Sequence, residues 1–302
     1  MGLRVTFDTN VLDWACRPEL SIKNSLQPLM LRVNSALRSG QIAGFYSVTM
    51  LTIEGIMKTD RAAVYQGTTL TSLQGKPKVI ANAELPPSIR EVVGDGNVES
   101  IALTISVQQP DRKPLPPAVK DRALAAHEIG LLALKAVPRM GAFSIDDPSG
   151  TRYLDTGSGE DLKRWITNAH RVSRAIEARG VGQSQIRSIG ERLAQNAGGG
   201  PWFSALDQAK DIHEERAIER AFAEWADGDA LASHIAYGID VFCTMDKGNS
   251  NGAKSILDVE NRAWLEQEFG VRFMTFEELG RSLSLTRTEC PRSAGSLDHK
   301  EL

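Results

Sequence analysis

The amino-acid sequence predicts an α/β protein organised on a parallel sheet. Three observations carry that reading. Short apolar strand patterns alternate with helical ones over residues 3–60 and again over 229–282, the order expected when helices cross over between parallel strands. Two strand patterns run directly into an acid, LRVTFD at 3–8 and IDVFCTMD at 239–246, and ligand sites of open α/β sheets gather beyond the carboxyl ends of strands. The chain has 302 residues, 41% of them hydrophobic, enough for a sizeable core.

Residues 3–7 (LRVTF) alternate as a short strand, and after Asp8 the stretch TNVLDWACR turns into a helix start. Leu29, Val33, Ala36 and Leu37 share one helical face, which predicts a helix over 28–38 stopped at Gly40 and followed by a strand at 42–48, IAGFYSV. TMLTIEGIMK at 49–58 reads as a helix carrying Glu54. The middle of the chain differs. KVIAN (78–82) and ESIALTISV (99–107) are strand-like, PDRKPLPP (110–117) is a loop, and helical patterns dominate from about 119 to 226, broken at 141–159 and by AGGGP at 197–201. DALASHIAY (229–237) reads as a helix opened by Asp229 and ended by Gly238. The strand at 239–246, a helix over 258–269, a strand VRFMTF at 271–276 and a closing helix EELGRSL follow. Residues 283–302 lack periodicity and read as a disordered tail.

Lys and Arg number 35 against 38 Asp and Glu, a formal charge of -3, so nucleic-acid binding would need a local basic face. The three cysteines, Cys16, Cys243 and Cys290, are far apart and lack CxxC spacing, which argues against a disulfide framework or thiolate zinc site. No export signal or apolar span of membrane length is present, so the expected location is the cytoplasm, with no membrane partner. His127, His170 and His234 have no paired ligand spacing and read as structural or surface residues.

Asp8 and Asp246 both end strands of the expected sheet, Asp229 lies on the helix before the second of them, and Glu54 follows strand two, so one crevice is within reach of all four. Asp227, two residues before Asp229, is a lesser candidate. Each acid has a plainer reading as a helix cap, a turn former or a solvated helix residue. Crowded together, four carboxylates raise one another's pKa unless a cation sits among them. Hard oxygen donors suit Mg²⁺ or Mn²⁺, ions that lower the pKa of water and clamp a phosphate oxygen during phosphodiester hydrolysis.

FDTNVL, SVTMLTIEGI and DALASHIAYGIDVFCTMDKG, in that order, resemble the successive acidic motifs of PIN-domain ribonucleases. The resemblance covers residues 1–60 and 226–282. It implies a three-layer α/β/α fold around a parallel sheet, an endoribonuclease activity, and metal-site roles for Asp8, Glu54, Asp229 and Asp246. Asn10 and Thr244 match polar positions beside those acids that would orient a carboxylate, a water or a phosphate. RNA is the implied substrate, with an inhibitory antitoxin-like protein and a homo-oligomer as further candidate partners. The chain departs from the pattern in the long interval between Glu54 and Asp229, so residues 61–225 are expected to be a large, mostly helical insertion within a nuclease domain spanning 1–282. That departure leaves open whether the protein belongs with the small toxins of this kind.

Within that interval, Leu162, Trp165, Ile166, Ala169, Val172 and Ile176 form an apolar stripe on a helix over 160–179. The other side carries Lys163, Arg164, Arg171 and Arg174, which could guide an RNA backbone or simply be a solvated face. Gly198, Gly199 and Gly200 lack the lysine of a phosphate loop and read as a hinge. Three rival readings stay in view. Haloacid dehalogenase-like phosphatases also place an acid after strand one but follow it with a second Asp, where this chain has Asn10. The DGD at 227–229 suggests a topoisomerase-primase metal site, though it follows a helical stretch. A PIN-like fold could also serve as an RNA-binding or interaction module without cleavage.

Overall fold

The computed structural model describes residues 2–21, 24–69, 71–95, 98–107, 115–139, 150–248 and 254–283. In chain order these form β1 (Leu3–Phe7), α1 (Thr9–Cys16), α2 (Gln27–Arg38), β2 (Ile42–Ser47), α3 (Arg61–Thr69), β3 (Thr71–Ile80), α4 (Pro87–Val93), β4 (Val98–Val107), α5 (Pro117–Glu128) and β5 (Leu132–Leu134). After them come α6 (Glu160–Ala178), α7 (Gln183–Asn196), α8 (Ile212–Ala236), β6 (Val241–Cys243), α9 (Val259–Phe269), β7 (Phe273–Met274) and α10 (Phe276–Ser282). Five strands make one sheet in the order β5-β2-β1-β6-β7, every pairing parallel, while β3 and β4 form a separate antiparallel ribbon. The chain therefore winds outward from β1 in both directions, and the winding reverses between β1 and β6.

Strand alternation assigns the two faces. Val5 and Phe7 of β1 and Val241 and Cys243 of β6 are buried against α1, α2, α5 and α10. Phe242 points the other way, into a cluster with α6, α8 and α9. Helices thus flank both faces of the sheet, an arrangement compatible with three α/β/α layers. Beyond the sheet, the first half of α8 packs with α3, α7 and the turn at Trp202–Gln208 in a satellite core built on Tyr65, Phe222 and Trp225. No helix among the described residues is long and apolar enough to cross a membrane. Cys16 and Cys243 are free and buried, and Cys290 lies outside the described residues, as do residues 284–302 of the expected tail.

Three sequence expectations need correction. Residues 49–58 are not an α-helix: a single 3-10 turn at Val48–Met50, capped by Ser47 Oγ on Thr49 N–H at 3.2 Å, leads into irregular turns that carry Glu54. The β-branched and glycine-containing run TIEGI has little helical propensity once a turn forms upstream. Asp229 does not open a helix, because α8 begins far earlier at its N-cap Asp211, whose carboxylate accepts from His213 N–H and Glu214 N–H at 2.8 and 2.9 Å. Gly238, at φ 61, does end it. Leu132–Leu134, in a stretch that reads as helical, is the edge strand β5 beside β2. A three-residue apolar run has no period by which to tell strand from helix.

Residues 61–225 thus supply one strand of the central sheet, and the boundary at 226 falls inside α8.

Candidate functional site

Parallel registry builds the centre of the site. Phe7 pairs with Cys243 in β6 and with Tyr46 in β2, so the next residues, Asp8, Thr244 and Ser47, emerge together at the carboxyl ends of three adjacent strands. Asp8 N–H still bonds Cys243 O at 3.0 Å, extending the ladder by one step. Asp8 is also the N-cap of α1, but its Oδ1 accepts from the adjacent Thr9 N–H at 2.7 Å, leaving Oδ2 turned towards β6. Thr244 Oγ1 donates to that Oδ2 at 2.6 Å, and Asn10 Nδ2 donates to it at 2.7 Å. Thr244 Oγ1 in turn accepts from Asn10 Nδ2 at 3.1 Å and from Asp246 N–H at 3.0 Å, while Asn10 Oδ1 accepts from Met245 N–H at 3.2 Å. One hydroxyl therefore uses its single proton and both lone pairs to tie Asp8, Asn10 and Asp246 into a unit.

Glu54 reaches the same place from beyond β2, its Oε2 accepting from Thr9 Oγ1 at 2.7 Å. Asp8, Glu54 and Asp227 line a narrow recess of about 10 Å³ with Thr9, Ser47 and Thr49, space for about one water-sized occupant. Asp227 also lines a wider cleft of about 490 Å³ together with Asp246, Glu224, Arg220, Lys247 and Lys254. Asp246 is exposed. Its Oδ1 accepts from Gly248 N–H at 2.8 Å in a turn, and its carbonyl accepts from Arg262.

The electrostatics follow from the crowding. Burial raises the Asp8 carboxyl above its usual range, hydrogen bonds from Thr244 and Thr9 oppose the rise, and the charge of Asp246 adds to it. Glu54 is pushed up to about 7, first by burial and then by Asp8. Asp227 is pushed well above the carboxylate range by burial and then by the charges of Asp8, Glu54, Glu224 and Asp246. Among the described residues its carboxylate has no hydrogen-bond partner.

Asp229 faces elsewhere. Residues two apart on an α-helix point about 200° from one another, so α8 cannot direct both Asp227 and Asp229 at one recess. Asp229 is 4% exposed and bonded to Arg139, Nη2 to Oδ1 at 2.8 Å and Nε to Oδ2 at 3.3 Å, with Trp225 Nε1 donating to Oδ2 at 3.0 Å. Arg139 also meets Glu177 and Gln183, each at 2.7 Å. Burial opposes its charge, but Asp229 and Glu177 outweigh that and hold the guanidinium above its ordinary pKa. Between the two acids, Gly228 allows close helix–turn contact: a Cβ there would lie 3.0 Å from Gly182 Cα.

The basic side of α6 lies away from the carboxylates. Trp165 packs against Tyr237 with its ring tilted and the centroids 5.4 Å apart, and Tyr237 follows the last turn of α8, about 15 Å along the axis from Asp227. Lys163, Arg164 and Arg171 line a pocket of about 730 Å³ there, at the amino ends of the strands. Lys163 and Arg164 pair with Glu160 and Asp161 of the same helix, and Arg171 stacks over Phe269; Arg174 is exposed. Trp165, Ala169, Val172 and Ile176 of the apolar stripe are buried, Ile166 is half-buried and Leu162 is exposed. His234 is buried with Nδ1 2.9 Å from Thr6 Oγ1, and burial lowers its pKa to about 3.

Thr9, Ser47 and Thr49 were not singled out by sequence reasoning, although each sits at or just beyond a strand's carboxyl end, the signal that found Asp8. Arg139 carried no such signal. Among the described residues, no three His, Cys, Asp or Glu side chains are drawn together as a ready-made metal cage. The donor set is nonetheless one of hard carboxylate oxygens, and the partnerless Asp227 amid other negative charges is what a small divalent cation would satisfy. Comparison of the chain with protein-family models, curated proteins and solved structures returned no match.

Proposed function

We propose that the protein is a PIN-like, divalent-metal-dependent endoribonuclease that hydrolyses RNA phosphodiester bonds at the carboxyl ends of β1, β2 and β6. The observation that carries this reading is the meeting of Asp8, Glu54 and Asp227 in one recess beside Asp246, where the sheet reverses its winding. In this reading Asp8, Glu54, Asp227 and Asp246 hold Mg²⁺ or Mn²⁺, and Asp229 serves the fold through Arg139. Bound, the ion would lower the pKa of the attacking water and offset charge on the phosphate.

The chain's own residues supply the orientation. Thr244 and Asn10 fix Asp8 Oδ2 and Thr9 fixes Glu54 Oε2, so both carboxylates would present their oxygens to the ion in a set orientation. The test is incubation of purified protein with mixed RNA and DNA substrates in Mn²⁺, Mg²⁺ or chelator. Cleavage of RNA that chelator stops, and that Asp8→Asn and Asp246→Asn each abolish without unfolding the protein, is expected. Full activity in either variant, or activity indifferent to chelator, would sink the assignment.

A further inference from the structure

The wide cleft beside the recess has a chemistry of its own. Arg220, Ala223, Glu224 and Asp227 lie on one face of α8, so Arg220 stands two turns, about 10.5 Å, before Asp227 along the same wall. Lys247 and Lys254 line the same cleft from the chain on either side of residues 249–253. All three cations are exposed and make no ion pair among the described residues, unlike Lys163 and Arg164 on α6. The cleft is also built. Buried Glu224 accepts Ile256 N–H at 2.6 Å and Gly182 N–H at 3.4 Å, and Gln185 Nε2 donates to Lys254 O at 2.7 Å. These bonds lock the 254–256 segment and the start of α7 against α8.

We infer that this cleft seats one single polynucleotide strand, with Arg220, Lys247 and Lys254 contacting the phosphates that flank the one delivered to Asp227 and Asp246. This deepens the nuclease reading and rests on it only for the fate of the bound strand. Three unpaired cations beside a carboxylate recess give a negatively charged polymer an attractive path, with the acids waiting at its end. Among the described residues, the side chains that line the cleft include no aromatic residue, so base stacking contributes nothing there and sequence preference is weak. Single-strandedness follows from depth. Asp8 and Asp227 are recessed while Asp246 and the three cations are exposed at the rim, and base pairing would stiffen the backbone and hold it outside.

The experiment is binding of a labelled single-stranded oligoribonucleotide and of its blunt-ended duplex, in chelator, across a salt series, for the wild-type protein and for Arg220→Ala/Lys247→Ala/Lys254→Ala. Loss of three phosphate contacts should flatten the slope of log K against log salt by about 2 and weaken single-strand binding at least tenfold, roughly, at low salt. The duplex should bind wild type more weakly than the single strand. Unchanged affinity and slope in the triple variant, or equal affinity for the duplex, overturns the inference. Cleavage is scored separately in Mn²⁺. A wild type that cuts RNA while the triple variant binds and cuts equally well removes the cleft assignment alone, whereas binding lost in the variant with no cleavage by wild type upholds the cleft and removes the nuclease reading.

Discussion

Glu54→Gln should make the protein more stable at alkaline pH, and the size of the gain can be worked from the site. Glu54 has its pKa raised from 4.5 to about 7, by burial first and by the neighbouring Asp8 second. A raised carboxyl binds its proton more tightly in the folded state than in the unfolded one. Its favourable contribution is therefore complete below about pH 4.5 and disappears as pH rises through about 7. The difference of about 2.5 pKa units corresponds to about 3 kcal/mol between those limits. Gln keeps an oxygen for the Thr9 hydroxyl, which donates to Glu54 Oε2 at 2.7 Å, and removes the charge. In chelator, variant and wild type should match near about pH 4, and the variant should be about 3 kcal/mol more stable near about pH 9. Spread over 302 residues, that is roughly 5 °C in melting temperature. Thermal unfolding followed by circular dichroism across the pH range measures it. Parallel pH profiles for the two proteins would refute the burial and repulsion assigned to Glu54. Adding Mn²⁺ tests the metal reading in the same experiment, since an ion at about 100 times its dissociation constant stabilises wild type by about 2.7 kcal/mol and the variant by less.

Asp229→Asn should destabilise the fold by about 2–3 kcal/mol, less than a fully orphaned buried charge because Glu177 stays on Arg139; urea unfolding should show this while the Mn²⁺ response survives, and a lost response would return Asp229 to the site. Thr244→Val removes a hydroxyl that donates to Asp8 and accepts from Asn10 and Asp246, so it should cost about 1–3 kcal/mol and much of the cleavage rate. Thr244→Ser should restore both, and failure of that rescue would show the methyl to matter instead. Gly228→Ala presses a Cβ to 3.0 Å from Gly182 Cα and should cost about 1–3 kcal/mol by overpacking; a neutral change in urea midpoint would mean the turn yields freely.

The sequence by itself determined the elements whose signal is local. β1 running into Asp8, α2 ended at Gly40, β6 followed by Thr244 and Asp246, and the alternation that demands a parallel sheet all follow from strand and helix periods over a few residues, and all are present in the fold. Asn10 and Thr244 were expected beside the acids from the resemblance; in the fold, parallel registry of β1 with β6 sets Thr244 next to Asp8, while Asn10 reaches it from the first turn of α1. Tertiary structure alone decided the rest. It chose Asp227 over Asp229 because the last turns of α8 are buried on nearly every side, so composition marks no single inward face, and only the helix's rotation against β1 and Arg139 separates the two acids. It placed β5 in the sheet by pairing Leu132–Leu134 with residues 45–47 of β2, a contact distant in sequence that three apolar residues could not announce. It set the cations of α6 at the amino ends of the strands and those of the wide cleft at the carboxyl ends, since a helix's charges are local to the sequence but the end of the sheet they face depends on how the helix packs across it.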